Sequence, residues 1–195
     1  MIASREVSRR STNDYVGLIM SDQTWRVAHL YRDTAGWKEE SDEFLRVLRS
    51  GDSTIANAGG VRFRDYLNLD LRDPETGRKV PSFFVLVTAE GRTQHHNPWD
   101  DIVDHIVGDI YYWGDAKYSN RGKRCTDFLG NSRIEAANNL RLTGELGKVP
   151  PFLHFTKPSV GKVRFNGLCS LVDVQHPGLR ITATQSRICD YCCPS

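Results

Sequence analysis

A chain of 195 residues and 22.1 kDa holds about one domain and can bury a hydrophobic core without disulfide or metal staples. Hydrophobic residues at 39% and charged residues at 26%, with 4 Trp, 7 Tyr and 8 Phe, exclude a disordered chain. A net charge of +2 excludes nothing about partners by itself, and no apolar run approaches the roughly 18 residues of a membrane helix.

The first stretch, to about residue 60, opens on a segment that is polar from its fourth residue and lacks the pattern of a secretory signal, so a cytoplasmic location is expected. Its one convincing helix is capped by Ser41-Asp42, takes its apolar spacing from Phe44, Leu45, Val47 and Leu48, and stops at Gly51. Val61 to Leu67 alternates as a half-buried strand. Asp73-Pro74-Glu75-Thr76-Gly77 is a turn, and Val80 to Ala89 reads as a buried strand. Asp109 to Tyr118 reads as a further strand. A capping box at Ser132-Arg133-Ile134-Glu135 starts a helix with Ile134, Ala137 and Leu140 on one face. Four short strands follow, at 152–155, 163–168, 171–174 and 179–183, punctuated by Pro158, Gly161, Gly167, Pro177 and Gly178. Short, closely spaced strands argue for a mixed α+β, mostly β domain rather than a parallel α/β fold. The sheet is expected to be curved or partly closed into a barrel, with a few flanking helices. One domain over 1–195 is expected, with 1–14 and 186–195 peripheral or linking.

Charge is unevenly distributed. Pro98 to Ala116 holds Asp100, Asp101, Asp104, Asp109 and Asp115 with no Lys or Arg, whereas Lys117 to Arg141 has a local excess of +4. A polar pocket beside a phosphate-binding rim has this pattern, and so do two solvated faces. Cys189-Asp-Tyr-Cys192 has the spacing of half a zinc site, but the chain supplies no second pair, and no metal is assigned. Cys125 and Cys169 read as small buried hydrophobes, His95-His96 as a solvated loop, and His154 as a satisfied core histidine.

The informative stretch is 95–133. Alternation along its strand puts Tyr111, Trp113, Asp115 and Lys117 on one face and Tyr112 on the other. Two chemistries want such a set. In a Mg²⁺-dependent nuclease of the Asp/Glu-x-Lys type, Asp104 or Asp109 with Asp115 would hold the ion and Lys117 would help activate water. Asp109 and Asp115 are, however, about 20 Å apart on a continuous strand at roughly 3.3 Å per residue. In a pocket for an extruded base, Trp99, Tyr112 and Trp113 are candidate plates, Asp115 reads the cytosine N4 amino group, and Asn97 adds a polar contact. The loop with Arg121, Lys123 and Arg124 supplies cations for phosphates, and Arg62 and Arg64 flank Phe63 as further candidates for the DNA backbone. A third reading is an RNA- or protein-binding accessory domain whose aromatic strand is core.

Asn97-Pro98-Trp99-Asp100-Asp101, Tyr112-Trp113-Gly114-Asp115-Ala116-Lys117 and Gly130-Asn131, with the 152–155 and 163–168 strands, resemble the N-terminal domain of AspBHI-like, MspJI-related modification-dependent restriction endonucleases. The resemblance runs over roughly residues 80–175, and that domain is similar to SRA domains, which flip 5-methylcytosine into a pocket. It implies an SRA-like fold that binds duplex DNA carrying 5-methylcytosine or 5-hydroxymethylcytosine. It also implies Asp115 on the base edge, Trp99 stacked on the base, and Lys117, Arg121, Lys123 and Arg124 near the backbone. No cofactor is implied, and the partners are modified duplex DNA and a nuclease domain in the same or another chain. As an isolated chain it is expected to read rather than cut.

Overall fold

The structure, a computed structural model, describes residues 26–34, 42, 45, 48, 61–65, 70–89, 101–104, 106–114, 124, 127–175 and 180–185. Among the described residues eight strands form one sheet: β1 (Leu30–Arg32), β2 (Arg62–Arg64), β3 (Phe83–Ala89), β4 (Ile102–Asp104), β5 (Asp109–Trp113), β6 (Phe152–Ser159), β7 (Lys162–Gln175) and β8 (Arg180–Gln185). Their order is β2-β3-β6-β7-β8-β5-β4, with β1 added alongside the first residues of β7. Among the described strands only β3 and β6 run parallel; every other pair is antiparallel. The expected mostly β architecture is present as an open mixed sheet with β2 and β4 at its ends. Among the described residues no helix is long and apolar enough to cross a membrane.

Phe83-Phe84-Val85-Leu86-Val87 is a continuous apolar run because β3 is buried on both faces. Phe84 and Leu86 point to one face, where Phe84 stacks on Phe152 with centroids 4.6 Å apart. Ile134, Ala136, Ala137 and Leu140 of the helix α1 (Leu129–Leu142) close that face, here called the α-face. Phe83 and Val85 point to the other face, where Tyr31, Leu45, Leu48, Phe155 and Val163 form a second apolar cluster. Leu45 and Leu48 are helical and buried, as the sequence pattern predicts. The Asp42 carboxylate accepts from the Arg32 backbone N–H at 2.5 Å, so it ties that segment to β1. Ser41 lies outside the described residues.

Several expected boundaries move. α1 begins at Leu129, ahead of the capping box: Ser132 already sits in its first turn, its hydroxyl donating to the Leu129 carbonyl. Burial of Gly130 and Asn131 favours the earlier start, so tertiary packing overrides the local cap signal. Its end is a Schellman closure, with Gly144 at φ +80 and bonds from Gly144 N to Arg141 O and from Glu145 N to Leu140 O. The segments 163–168 and 171–174 are one strand, because the punctuating Gly167 sits in a bulge of β7. Strand β5 ends at Trp113 rather than continuing to Tyr118.

The predicted turn at 73–77 is built on Asp73, which is fully buried. Its carboxylate accepts from Glu75 N at 3.1 Å and Asn139 Nδ2 of α1 at 2.9 Å, and also from the Thr76 hydroxyl. Burial alone would raise this carboxyl; the donors outweigh it and hold it below its ordinary value. A lowered folded-state pKa means the stabilisation is complete above the ordinary Asp value of about 4 and is lost as pH falls through that range. Removing a buried acceptor that satisfies several donors costs about 1–3 kcal/mol. Asp73→Ala is therefore expected to lower the denaturant midpoint at neutral pH, with a difference from the parent that shrinks as pH drops below about 4. A difference independent of pH would remove the carboxylate from this role.

Candidate nucleic-acid interface

The β4–β5 hairpin positions the informative stretch. At its closed end, Asp104 Oδ1 accepts from Ile106 N at 2.9 Å and Val107 N at 3.2 Å, and its carbonyl accepts from Gly108 N at 2.8 Å. Asp109, directly opposite Asp104, accepts from the Thr184 hydroxyl at 2.6 Å. Of the carboxylates in the nuclease reading, Asp104 thus closes the hairpin turn and Asp109 ties the hairpin to β8, while Asp115 lies outside the described residues. Among the described residues no three His, Cys, Asp or Glu side chains form a group that fits a metal ion.

At its open end, Asp101 Oδ1 accepts from Trp113 N at 3.1 Å. This bond joins the residue where the chain enters β4 to the residue where it leaves β5. The two ends of the hairpin, at Asp101 and Trp113, are therefore held side by side; Asn97, Trp99, Asp115, Lys117, Arg121 and Lys123 lie outside the described residues. The register continues the row sideways, from Trp113 to Arg180 of β8 and on to Gln175 of β7.

Alternation along β5 follows the sequence pattern. Ile110 and Tyr112 are buried on the α-face, and Tyr111 and Trp113 are half-buried on the other. Tyr112, one of the expected plates, is thereby a core residue at 6% exposure. Trp113 keeps its place on the opposite face, where the Arg180 guanidinium lies 4.7 Å from the Tyr111 ring centroid. Arg180 gave no sequence signal, since cross-strand neighbours are set by register alone.

Arg62 and Arg64, expected at the DNA backbone, are half-buried in β2. Arg64 Nη2 donates to the Leu48 carbonyl at 2.7 Å, and burial pulls the Arg62 guanidinium down to about 10 against the opposing effect of Tyr112 and Asp33. Arg64 thus ties β2 to Leu48, and Arg62 is set into the fold by its burial. Arg124 is outward-facing, its side chain 84% exposed and paired with Asp127 at 3.6 Å. His154 is the satisfied core histidine that was expected: Asn166 Nδ2 donates to its Nδ1 at 3.2 Å, leaving Nε2–H for Thr88 Oγ1 at 3.1 Å. Cys169 is buried and its thiol is pushed up to about 12, so it behaves as an apolar residue. His95, His96, Cys125, Cys189, Cys192 and Cys193 lie outside the described residues.

The sequence profile described as restriction endonuclease AspBHI N-terminal matches residues 25–179. The chain belongs to this family. No curated protein matches it. Among solved structures it is similar to the MspJI restriction endonuclease in complex with a 27-mer oligonucleotide, at 16% identity and a TM-score of 0.61 over 88% of this chain. It is also similar to the DNA modification-dependent restriction endonuclease AspBHI, at 20% identity and 0.53, covering 81% of this chain and 72% of that one. The DNA recognition domain of the cytosine modification-dependent endonuclease LpnPI aligns at 18% identity and 0.49, over 82% of this chain and 70% of that one. The chain spans only 45% of the MspJI chain. At such identities the first two likenesses show that the AspBHI N-terminal family fold is present.

The Asp101–Trp113 bond gives this end of the hairpin a direct test. Asp101→Ala is expected to lose about 1 kcal/mol in denaturant unfolding, while Asp101→Asn, which keeps an acceptor oxygen, loses much less. Equal losses would show that the bond does not hold the hairpin end.

Proposed function

We propose that this chain is the DNA-recognition part of a modification-dependent restriction system. In this reading it takes a modified cytosine, 5-methylcytosine or 5-hydroxymethylcytosine, out of duplex DNA into a pocket formed by the 97–99 and 115–117 segments. The observation that carries the reading is the Asp101–Trp113 bond, which brings the exits of those two segments together in a chain whose family is that of AspBHI N-terminal domains. Trp99 stacks on the base, with Trp113 beside the entrance and Asn97 as a polar contact. Asp115 accepts from the cytosine N4 amino group, which thymine lacks. Lys117, Arg121, Lys123 and the exposed Arg124 hold the strained phosphates. Tyr112, Arg62 and Arg64 are left to the fold. A nuclease domain, in the same or another chain, would do the cutting, and no cofactor enters the recognition step. A methyl group on an apolar wall adds only about 1–3 kcal/mol, so selectivity over plain cytosine is modest at each site.

The test is a titration against matched duplexes carrying cytosine, 5-methylcytosine or 5-hydroxymethylcytosine, with and without Mg²⁺, followed by a gel. Tighter binding to a modified duplex without cutting is expected. Cleavage that needs Mg²⁺ and disappears in Lys117→Ala would overturn the assignment in favour of a nuclease. Asp115→Ala is expected to erase the preference for modified cytosine while leaving non-specific affinity; an equal loss on every duplex would contradict its role as edge reader. The double substitution Arg121→Ala with Arg124→Ala is expected to weaken all duplexes alike and to flatten the salt dependence, and an unchanged slope would take both out of the phosphate rim.

A further inference from the structure

The first residues of β7 carry a cross-strand pair of like charge. Arg32 of β1 and Lys162 of β7 are direct cross-strand partners, and both are exposed. Tyr31 and Val163, the neighbouring pair, point into the cluster away from α1, so Arg32 and Lys162 project from the α-face. Arg164, two residues on, lies on the same face opposite Leu30. Like charges directly opposite each other in an antiparallel pair are destabilising. Here nothing among the described residues neutralises them: the Asp42 carboxylate takes the Arg32 backbone N–H, and no acid forms an ion pair with either cationic head. Asp33, the next residue of the chain, is buried at 2% exposure. The fold thus keeps a repulsive pair whose two heads stand on residues about 5 Å apart at the backbone.

We propose that Arg32 and Lys162 form a phosphate clamp for duplex DNA. This rests on the DNA-recognition reading and adds a second contact, at the opposite end of β7 from the Gln175–Arg180–Trp113 row. A DNA phosphate fits better than an acidic side chain, because it offers several oxygens that accept from a guanidinium and an ammonium together. The clamp acts on every duplex and carries no sequence information.

The experiment compares the parent with Arg32→Gln/Lys162→Gln and with Arg32→Glu, measuring affinity for modified and unmodified duplexes over a series of salt concentrations. The double variant is expected to bind both duplexes several-fold more weakly, with a log affinity against log salt slope shallower by about 1 to 2. Arg32→Glu turns the repulsive pair into an attractive one, so its thermal midpoint is expected to stay level or rise while affinity falls. Unchanged slopes in a protein that still prefers modified DNA would overturn the clamp alone. A shallower slope in a protein without that preference would overturn the modified-cytosine reading alone. Failure of the parent to bind any duplex would overturn both.

Discussion

The sheet depends on how β7 changes partners. Along one edge its first residues pair with β1 and its later ones with β8, while β6 runs along the other edge. Between the two partners, Phe165 exchanges backbone bonds with Ala28 and His29, and the Asn166 carbonyl accepts from the side-chain amide of Gln185. That side chain stands in for the backbone donor that β8 no longer supplies. The bulge at this point requires Gly167, whose φ of +126 is open to glycine but strained for other residues, and whose missing Cβ would meet Gln185 at 3.4 Å. Asn166 turns its own amide to His154, and His154 reaches Thr88 on β3, so one chain of hydrogen bonds crosses four strands. Each buried ring nitrogen left unpaired would cost about 1–3 kcal/mol, which fixes the bulge where it is.

This arrangement explains which parts of the fold were legible in the sequence. The double-sided burial of β3, the apolar stripe of α1, the turn at Asp73 and the satisfied state of His154 all leave local signatures: a continuous run, a helical period, an Asx turn, a polar residue on an apolar strand. Gly167 left one too, but a glycine between apolar runs signals a break and a bulge equally, and only pairing with both β6 and β8 decides. Strand β1 passed unread because Leu30-Tyr31-Arg32 is too short to show alternation and takes its shape from β7. The early start of α1 came from burying Gly130 and Asn131, a tertiary effect that no cap residue announces.

Of the candidate site, the aromatic alternation on β5 was readable and the roles of the carboxylates were not. Asp104 and Asp109 look, in sequence, like members of an acidic cluster. In the fold one closes a tight turn and the other receives a hydroxyl from β8, so acidity in this stretch partly reflects hairpin construction. Arg62 and Arg64 mislead in the same way, because alternation with Phe63 makes them look solvent-facing while both are half-buried and Arg64 bonds the Leu48 carbonyl. What remains is the open end of the hairpin, where Asp101 grips Trp113 and so holds the start of β4 beside the end of β5. A hairpin is an economical means to this end, since its two strands return the chain to its origin without a long loop.

The proposed recognition divides between forces that answer differently to salt. A base held in a pocket by stacking and by one carboxylate makes contacts that are shielded from solvent and weakly screened, and it supplies the discrimination. Phosphate contacts release counterions, bind any sequence, and weaken steeply as salt rises. The two proposed functions lie apart along β7: Trp113, beside the proposed pocket, aligns through Arg180 with Gln175 at its last residues, whereas Arg32 and Lys162 stand at its first. A like-charge pair held apart by the backbone is preorganised for an anion, because the cost of bringing the two cations together is met in folding rather than at binding. Under this proposal, general affinity for DNA would change through the clamp without disturbing the choice of base, and the reverse through Asp115.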